Sequence, residues 1–590
     1  MTTLTTARGG SWLIEDTAVE SIFTPEQLSD EHRLIGQTAD EFVSNEVLPA
    51  IERLEQKDWE LARRLVRRAG ELGLLGTDVG EAFGGVGLDK VASILVGEAM
   101  GRSASFATTF GAQTGLAITP LLCFGTEAQK EKYLSRLVNG ELVGAYALSE
   151  SGSGSDALGA KAKATRQPDG SFTISGEKMW ITNGGFADLF IVFAKVVGDG
   201  DDAFTAFLVE RSFSGVSNGK EEHKMGLHGS STTPLILQDA RVPADNVLGQ
   251  IGKGHKVAFN VLNYGRFKLA AMCSGGARAI VGDAAKYAAQ RKQFGQPIAS
   301  FGAIKHKLAE IAIREFAVES MLYRTASLID QAIETHGAAS EGDGVLAALE
   351  EFAIEASILK VAGSEMIDYA VDENVQIHGG NGFVRDYPAE RMYRDARVNR
   401  IFEGTNEINR LLIPGMLIRR ALKGGLPLIP AAKKLQDEIL TPSLAEPASD
   451  DPLENAKRTV ASLKKVALMV LGTAMQTYGD KLTDQQELLM LAADIIIDVF
   501  AAESVLLRAA RMPQQHAALG VAAAEVYIAD AAGRVEIAAR SSLAAMTEGD
   551  TLRTLLAALR RLLKPAPINT VARRREIADV IIERKAYPYA

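Results

Sequence analysis

Up to about Asn139 the apolar residues recur at helical spacing. Leu61, Leu65, Val66 and Ala69 share one face, and Val91, Ile94 and Leu95 another, with Glu98 as the polar exception. Thr24-Pro25-Glu26-Gln27 predicts a helix start, with Thr24 as N-cap and Pro25 in the first helical position. Near residue 144 the pattern changes. Short β-rich runs at 172–174, 189–193, 203–209 and 235–237, bounded by Gly, Asp and Asn, predict an antiparallel β domain. Helical periodicity resumes after Gly254 and continues to about Leu422. Ile280, Val281, Ala284, Ala285 and Ala288 form one stripe; Ile311, Phe316, Met321 and Leu322 form a weaker one. Residues 424–453 hold five prolines together with Gly424, Gly425, Ser449, Asp450 and Asp451, which reads as a linker. Beyond it the chain is Ala-rich and helical to about Leu563. Leu488, Leu489, Ala492, Ile495, Ile496, Val499 and Phe500 make a broad apolar face that must pack on something. The predicted order is a helical domain (24–143), a β domain (144–254), a second helical domain (255–423), the linker (424–453) and an appended helical domain (454–590). The fold class is mainly α with a central β domain.

Composition narrows the class. A chain of 590 residues exceeds one ordinary core. With 47% hydrophobic and 23% charged residues it reads as globular rather than disordered. A net charge of −10 argues against a nucleic-acid partner. Cys123 and Cys273 lie far apart, so no disulfide framework is implied, a reducing compartment fits, and each is expected to act as a small hydrophobe. Residues 1–20 lack the basic-then-apolar pattern of a secretory signal, and no uninterrupted apolar run reaches about 18 residues. The expected address is the cytoplasm. Arg553, Arg560, Arg561, Lys564, Arg573, Arg574 and Arg575 face few acids along the sequence, which leaves a peripheral contact with the inner membrane surface open. No metal is expected.

The candidate chemistry centres on Glu403, in the run Arg400-Ile-Phe-Glu-Gly-Thr-Asn406. A carboxylate beside a Gly leaves room for substrate, and flanking Ile401 and Phe402 can exclude water and raise its pKa towards neutrality, as a base for a weakly acidic C–H proton requires. Upstream, the glycines of Gln376-Ile-His-Gly-Gly-Asn-Gly382 let backbone approach a large planar ligand. Ser149–Asp156, rich in Ser and Gly, offers hydroxyl and N–H donors. Trp180 and Thr182 share a strand face at period two, and Arg291 ends a helix where a guanidinium could grip a pyrophosphate. The glycines between 70 and 87 lack a preceding strand and fingerprint spacing, so they read as a connecting loop.

Four of these runs resemble, in order, the acyl-CoA dehydrogenase family of flavoenzymes. They are Tyr146-Ala-Leu-Ser-Glu-Ser-Gly-Ser-Gly-Ser155-Asp156, Lys178-Met-Trp-Ile-Thr-Asn-Gly184, Arg291-Lys-Gln-Phe-Gly295 and the segment 371–412, within a similarity spanning about 30–420. The resemblance implies FAD held by Tyr146, Leu148, Ser149, Gly154, Ser155, Trp180, Ile181, Thr182, Thr405 and Glu407. It further implies that Arg291, Phe294, Gln376, Ile377, Gly379 and Gly380 reach the FAD of a neighbouring subunit, hence a homodimer or tetramer. Acyl-CoA would meet Ser155, Asn263, Arg266, Phe402 and Gly404, with Glu403 as the base. Gly265 stands where some branched-chain members place their base, which leaves Glu403 alone in that role. Ser149 and Ser151 replace the usual Thr and Pro; the hydroxyl survives, and local rigidity is expected to fall.

The implied reaction oxidises a medium-to-long-chain acyl-CoA to trans-2-enoyl-CoA, Glu403 taking the α-proton and flavin N5 the β-hydride. Electrons would then pass to an electron-transferring flavoprotein. The appended domain and the run Asn263–Phe267 lean towards the very-long-chain branch. Two alternatives stay open: an acyl-CoA oxidase handing electrons to oxygen, and a non-catalytic flavin-bearing assembly or nucleic-acid-binding protein. Glu403 speaks against the second.

Overall fold

The apolar runs of the middle segment form a sheet because their side chains find cover on both faces: the first six residues of the 189–197 run are all buried. In the computed structural model, which describes residues 7–198, 202–336, 340–440 and 449–589, the strands are β1 (Gly144–Ala147), β2 (Lys163–Arg166), β3 (Phe172–Thr182), β4 (Leu189–Val197), β5 (Ala203–Glu210), β6 (Val216–Asn218), β7 (Thr232–Val242) and β8 (Val247–Leu248). Their order is β6-β7-β3-β2-β4-β5-β8, with β1 paired to β4 off that path. Most pairings are antiparallel as predicted, but β4 receives both β1 (at 189–192) and β2 (at 195–197) in parallel. These two behave as one interrupted strand. The interruption contains the Ser/Gly segment 149–156, which leaves the sheet between the two pieces.

Helices flank the sheet on the chain's two sides as predicted. Trp59–Glu71 buries Leu61, Leu65, Val66 and Ala69. Lys90–Met100 buries Val91, Ile94 and also Glu98, the polar exception, which Arg278 meets at 2.5 Å and the Tyr323 hydroxyl at 2.9 Å. The segment between these helices is a loop with short 3-10 turns. At Thr24 the capping box forms, yet it opens a 3-10 turn alone (Pro25–Gln27). Leu28 turns extended, and the α-helix Asp30–Phe42 starts afresh on Ser29, whose hydroxyl accepts from the His32 N–H at 3.1 Å.

Three long helices, Gly254–Gln290, Gly302–Thr335 and Ala353–His378, build the second helical layer. Within the Pro-rich stretch, Leu428–Leu440 forms a helix; 441–448 lies outside the described residues. The appended segment contributes Pro452–Tyr478, Gln486–Arg511, Gln514–Met546, Gly549–Leu562 and Thr570–Arg584. All seven apolar residues of its predicted face, Leu488 to Phe500, are buried, and they share one continuous core with the three long helices. Burying each of the Leu, Ile, Val and Phe side chains among them contributes about 1.5–3 kcal/mol relative to exposure, which accounts for the close docking.

The basic tail departs from expectation. Arg574 is buried between Glu310 (2.6 Å) and Asp530 (2.5 Å), Arg573 pairs with Glu525 and Glu576, and Arg553 with Asp550. Most of these acids come from elements remote in sequence, so local charge counting missed them. Both cysteines are free thiols, Cys273 buried. Among the described residues no helix is long and apolar enough to cross a membrane.

Candidate active site

Glu403 sits in a turn between the 3-10 segment Arg397–Arg400 and the helix Asn406–Leu422. Its own φ is +57° and that of Gly404 is +78°. A left-handed backbone at a non-glycine residue costs of order 1–3 kcal/mol and persists when surroundings over-determine it. They do here. The Glu403 carbonyl accepts from Arg266 Nε at 3.1 Å and from Asn409 Nδ2 at 3.3 Å; Asn409 also donates to the Gly404 and Thr405 carbonyls at 2.9 and 3.0 Å. Thr405 caps the helix, its hydroxyl accepting from the Ile408 N–H.

The turn aims the carboxylate at the middle of Gly254–Gln290, and Gly265 lets it arrive. A Cβ at that position would lie 2.6 Å from Glu403 Oε2. Oε2 is sealed from solvent and has no hydrogen-bond partner among the described residues. Burial pushes the carboxyl up to about 7, against the opposing charges of Arg266 and Lys360. Burial likewise lowers Arg266 to about 10 and Lys360 to about 8, with Glu403 resisting both shifts. The Tyr146 hydroxyl is pushed well up by burial and, secondarily, by the Glu403 charge.

Glu403 forms part of the wall of a cavity with Phe402, Thr182, Gly265, Leu269, Met272, Cys273 and Gly276. Phe402 shields as expected. Ile401 does not: it is half exposed, because the turn rotates it outward. Asn263 and Arg266, expected to meet substrate, are tied to each other at 2.9 Å; Asn263 also donates to the Leu349 carbonyl and Arg266 to that of Glu403. Their observed work is to hold the Glu403 turn.

The Ser/Gly segment is firmer than its composition suggests. Glu150 and Ser153 exchange two backbone hydrogen bonds, and the Glu150 carboxylate accepts from the Lys161 and Ala162 N–H groups and from buried Lys178 at 2.7 Å. The Leu148 carbonyl accepts from Lys178, and the Ser149 carbonyl from the Met179 N–H. Gly154 and Ser155 are exposed. In β3 the regular alternation stops at a register shift between Lys178 and Ile181, where Trp180 takes φ +58° and stays 56% exposed, while Ile181 is buried and Thr182 reaches the cavity. A bulky residue in that conformation is a true outlier.

The remaining expected contacts lie on another surface. Arg291 leads into a two-residue hairpin whose tip, Phe294-Gly295, has φ of +52° and +79°; Phe294 is 92% exposed. Gln376 is exposed near the end of Ala353–His378 and Ile377 is buried. Gly379 closes that helix at φ 59°, ψ −136°, a region open to glycine, and is exposed together with Gly380. Tyr287 steadies this turn, stacking on His378 at 4.0 Å and donating to its carbonyl. Glu407 is exposed in the first turn of Asn406–Leu422.

These surfaces suit a large planar cofactor. Gly152, Gly154, Gly379 and Gly380 have open space where a Cβ would sit, Trp180 stands exposed beside the Ser/Gly turn, and one buried carboxylate oxygen is left unpaired at the cavity. Sequence reasoning missed Lys360, Asn409 and the roles of Glu150 and Asn406. Lys360 had left a signal, a lone cation in the apolar run Ile358-Leu-Lys-Val361; the amides had left none.

Family models agree with this architecture. Those for the acyl-CoA dehydrogenase N-terminal domain (29–141), middle domain (145–240) and C-terminal domain (252–417) match in order, and a further acyl-CoA dehydrogenase C-terminal domain model matches 462–561. The chain belongs to the acyl-CoA dehydrogenase family of FAD-dependent oxidoreductases. Among individual proteins, it is 47% identical over 587 residues to a probable acyl-CoA dehydrogenase of Bacillus subtilis, covering 98% of both chains. It is 37% identical to the mitochondrial very long-chain specific acyl-CoA dehydrogenase of Homo sapiens over 78% of this chain and 71% of that one. The crystal structure of an acyl-CoA dehydrogenase complexed with FAD from Bacillus anthracis superposes with a TM-score of 0.96 at 47% identity, over 98% of this chain and 100% of the other.

Proposed function

We propose that this protein oxidises a medium-to-long-chain acyl-CoA to the trans-2-enoyl-CoA, with Glu403 as the base that removes the α-proton. The Glu403 carboxylate carries this reading: buried, unpaired at Oε2, set against the bare face of Gly265 and open to a cavity. A carboxyl held at about 7 is matched to proton abstraction near neutral pH. Arg266 and Lys360 favour its ionised form without touching it, so the lone pairs stay free for the substrate. Phe402 and the wall of Gly254–Gln290 keep water from the proton once Glu403 holds it. Bound FAD supplies the acceptor for the β-hydride. Tyr146, Leu148, Ser149, Gly154, Ser155, Trp180, Ile181, Thr182, Thr405 and Glu407 are assigned to that cofactor, and Ser155, Asn263, Arg266, Phe402 and Gly404 to the substrate side.

The cavity supports the longer end of the substrate range. Gly265, Lys268, Leu269, Met272, Cys273, Gly276, Ala279 and Ile280 line it along one helix face. At 1.5 Å per residue that face runs about 22 Å, comparable to an extended palmitoyl chain. The exposure of Arg291, Phe294, Gln376, Gly379 and Gly380 supports their contribution to a neighbouring subunit's cofactor, hence a homodimer or tetramer. An electron-transferring flavoprotein is the proposed acceptor.

Anaerobic mixing of the FAD-loaded protein with palmitoyl-CoA tests the reading. Flavin bleaching that persists in air is expected; rapid reoxidation with peroxide would make it an oxidase, and no bleaching with any acyl-CoA would make it a binding protein.

A further inference from the structure

We propose that the appended helical domain positions the catalytic base through a string of side chains, Lys360–Asn406–Glu365–Arg410–Asp494. The inference rests on the assignment of Glu403 as that base. Buried Lys360 donates through Nζ to Asn406 Oδ1 at 2.6 Å. Asn406 opens the helix directly after the Glu403-Gly404-Thr405 turn, and its Nδ2 donates to Glu365 Oε1 at 3.0 Å and to Ser364 Oγ at 3.1 Å. Arg410 grips Glu365 with both terminal nitrogens, at 2.6 and 2.9 Å. Its Nε then donates at 2.7 Å to Asp494 Oδ1 on Gln486–Arg511, a helix of the appended domain.

Two features give this string a bearing on the base. Lys360 is a buried ammonium whose hydrogen bond goes to a neutral amide, so its charge is compensated at a distance, most strongly by Glu403. Displacing Asn406 would move both the cation and the turn that carries the carboxylate. At the outer end, Arg410 is a two-pronged fork with a side chain 13% exposed, the geometry in which a partly solvated ion pair still fixes position. Among the described residues, Asp494 is the hydrogen-bond partner that ties Arg410 to the appended domain. The charged and titratable groups facing Glu403 are Arg266 from Gly254–Gln290, Lys360 from Ala353–His378 and the Tyr146 hydroxyl from β1; Lys360 additionally faces the Cys273 thiol, Arg266 and Glu407.

Lys360→Met and Asp494→Asn in the full-length, FAD-loaded enzyme probe the two ends, with Lys360→Arg and Asp494→Glu as conservative partners. The rate constant of anaerobic flavin bleaching at saturating palmitoyl-CoA is expected to fall roughly 3- to 30-fold in each disruptive variant, with KM changing less. Because a cation near the base is lost or displaced, the rising limb of the rate against pH should move to higher pH, further for Lys360→Met. Infrared titration of the Glu403 carboxyl, assigned by its loss in Glu403→Gln, should move with it. The conservative variants should restore both. Where Asp494→Asn yields no folded protein, Arg410→Gln is read in its place. The proposal is overturned if the outer variant leaves rate and carboxyl titration unchanged, or if the rate falls only in proportion to lost FAD. Wild-type protein that does not bleach, or Glu403→Gln that does, overturns the assignment of the base instead.

Discussion

Glu403 and Glu319 are both buried carboxylates, and their surroundings are opposite. Glu319, on Gly302–Thr335, accepts from Arg508 at 2.6 Å, the Tyr587 hydroxyl at 2.9 Å and Arg278 at 3.2 Å. Arg508 also reaches Glu26 at 2.8 Å and lies over the Phe316 ring at 4.4 Å, so the cluster joins the N-terminal segment, the core helices and the end of the chain. Burial and the Glu319 charge push neighbouring Glu315 well up, which favours its neutral form. Around Glu403 the cations are held back and one oxygen has no partner. Burial is common to both sites. Paired carboxylates of this kind hold structure, whereas an unpaired one is the arrangement expected of a candidate base.

The sharpest way to break this contrast is to neutralise the two sites in turn. Glu403→Gln should retain FAD and acyl-CoA binding while bleaching slows by about 10²–10⁴-fold, the usual span for a lost general base; turnover at the original rate would remove Glu403 from the chemistry. Arg508→Met should act in reverse. Leaving Glu319 and Glu26 buried without their cation is expected to destabilise by about 3–5 kcal/mol in urea melts, while the bleaching rate per bound flavin persists. Equal loss of rate in both variants would erase the distinction.

A finer test uses stability against pH. The Glu403 carboxyl is raised from 4.5 to about 7 in the folded protein, so the stability its protonated form lends is present below 4.5 and lost as pH rises through 7. Glu403→Gln should therefore gain on the order of 3 kcal/mol at pH 8, shrinking as pH falls from 7 towards 4.5. A gain independent of pH would show that the carboxylate is not the strained group. The gentlest probe is Gly265→Ala. Its Cβ would meet the movable end of Glu403 rather than backbone, so stability should change little, whereas displacing the base by about 1 Å should slow bleaching roughly 10²-fold.

Much of the fold was legible because its signals are periodic. The stripes at Leu61–Ala69, Ile280–Ala288 and Leu488–Phe500 are all buried, and the β runs pair where their spacing put them. The sheet's mixed character was not legible: β1 and β2 both run parallel to β4, as two pieces separated by a non-strand excursion, a relation that period alone does not encode. At Trp180 the expected alternation gave way to a bulge where β3 shifts register against β7, which period alone does not encode either. The polar stripe member Glu98 was visible as an anomaly, though its partners Arg278 and Tyr323 lie on other helices.

The sequence by itself determined the order of helical and β segments, the motifs of the family and Glu403 as the candidate base, since each rests on residue type and short spacing. Tertiary structure alone decided that Ile401 turns outward while Phe402 shields, that Gly265 from a distant helix makes room for the carboxylate, that Arg573 and Arg574 of the basic tail meet acids from remote elements, and that Asp494 joins the hydrogen-bonded string that ends at Asn406 and Lys360. Local patterning is written in neighbours along the chain. Charge pairing and desolvation depend on which remote groups come within a few ångströms, and that is settled when the helices pack.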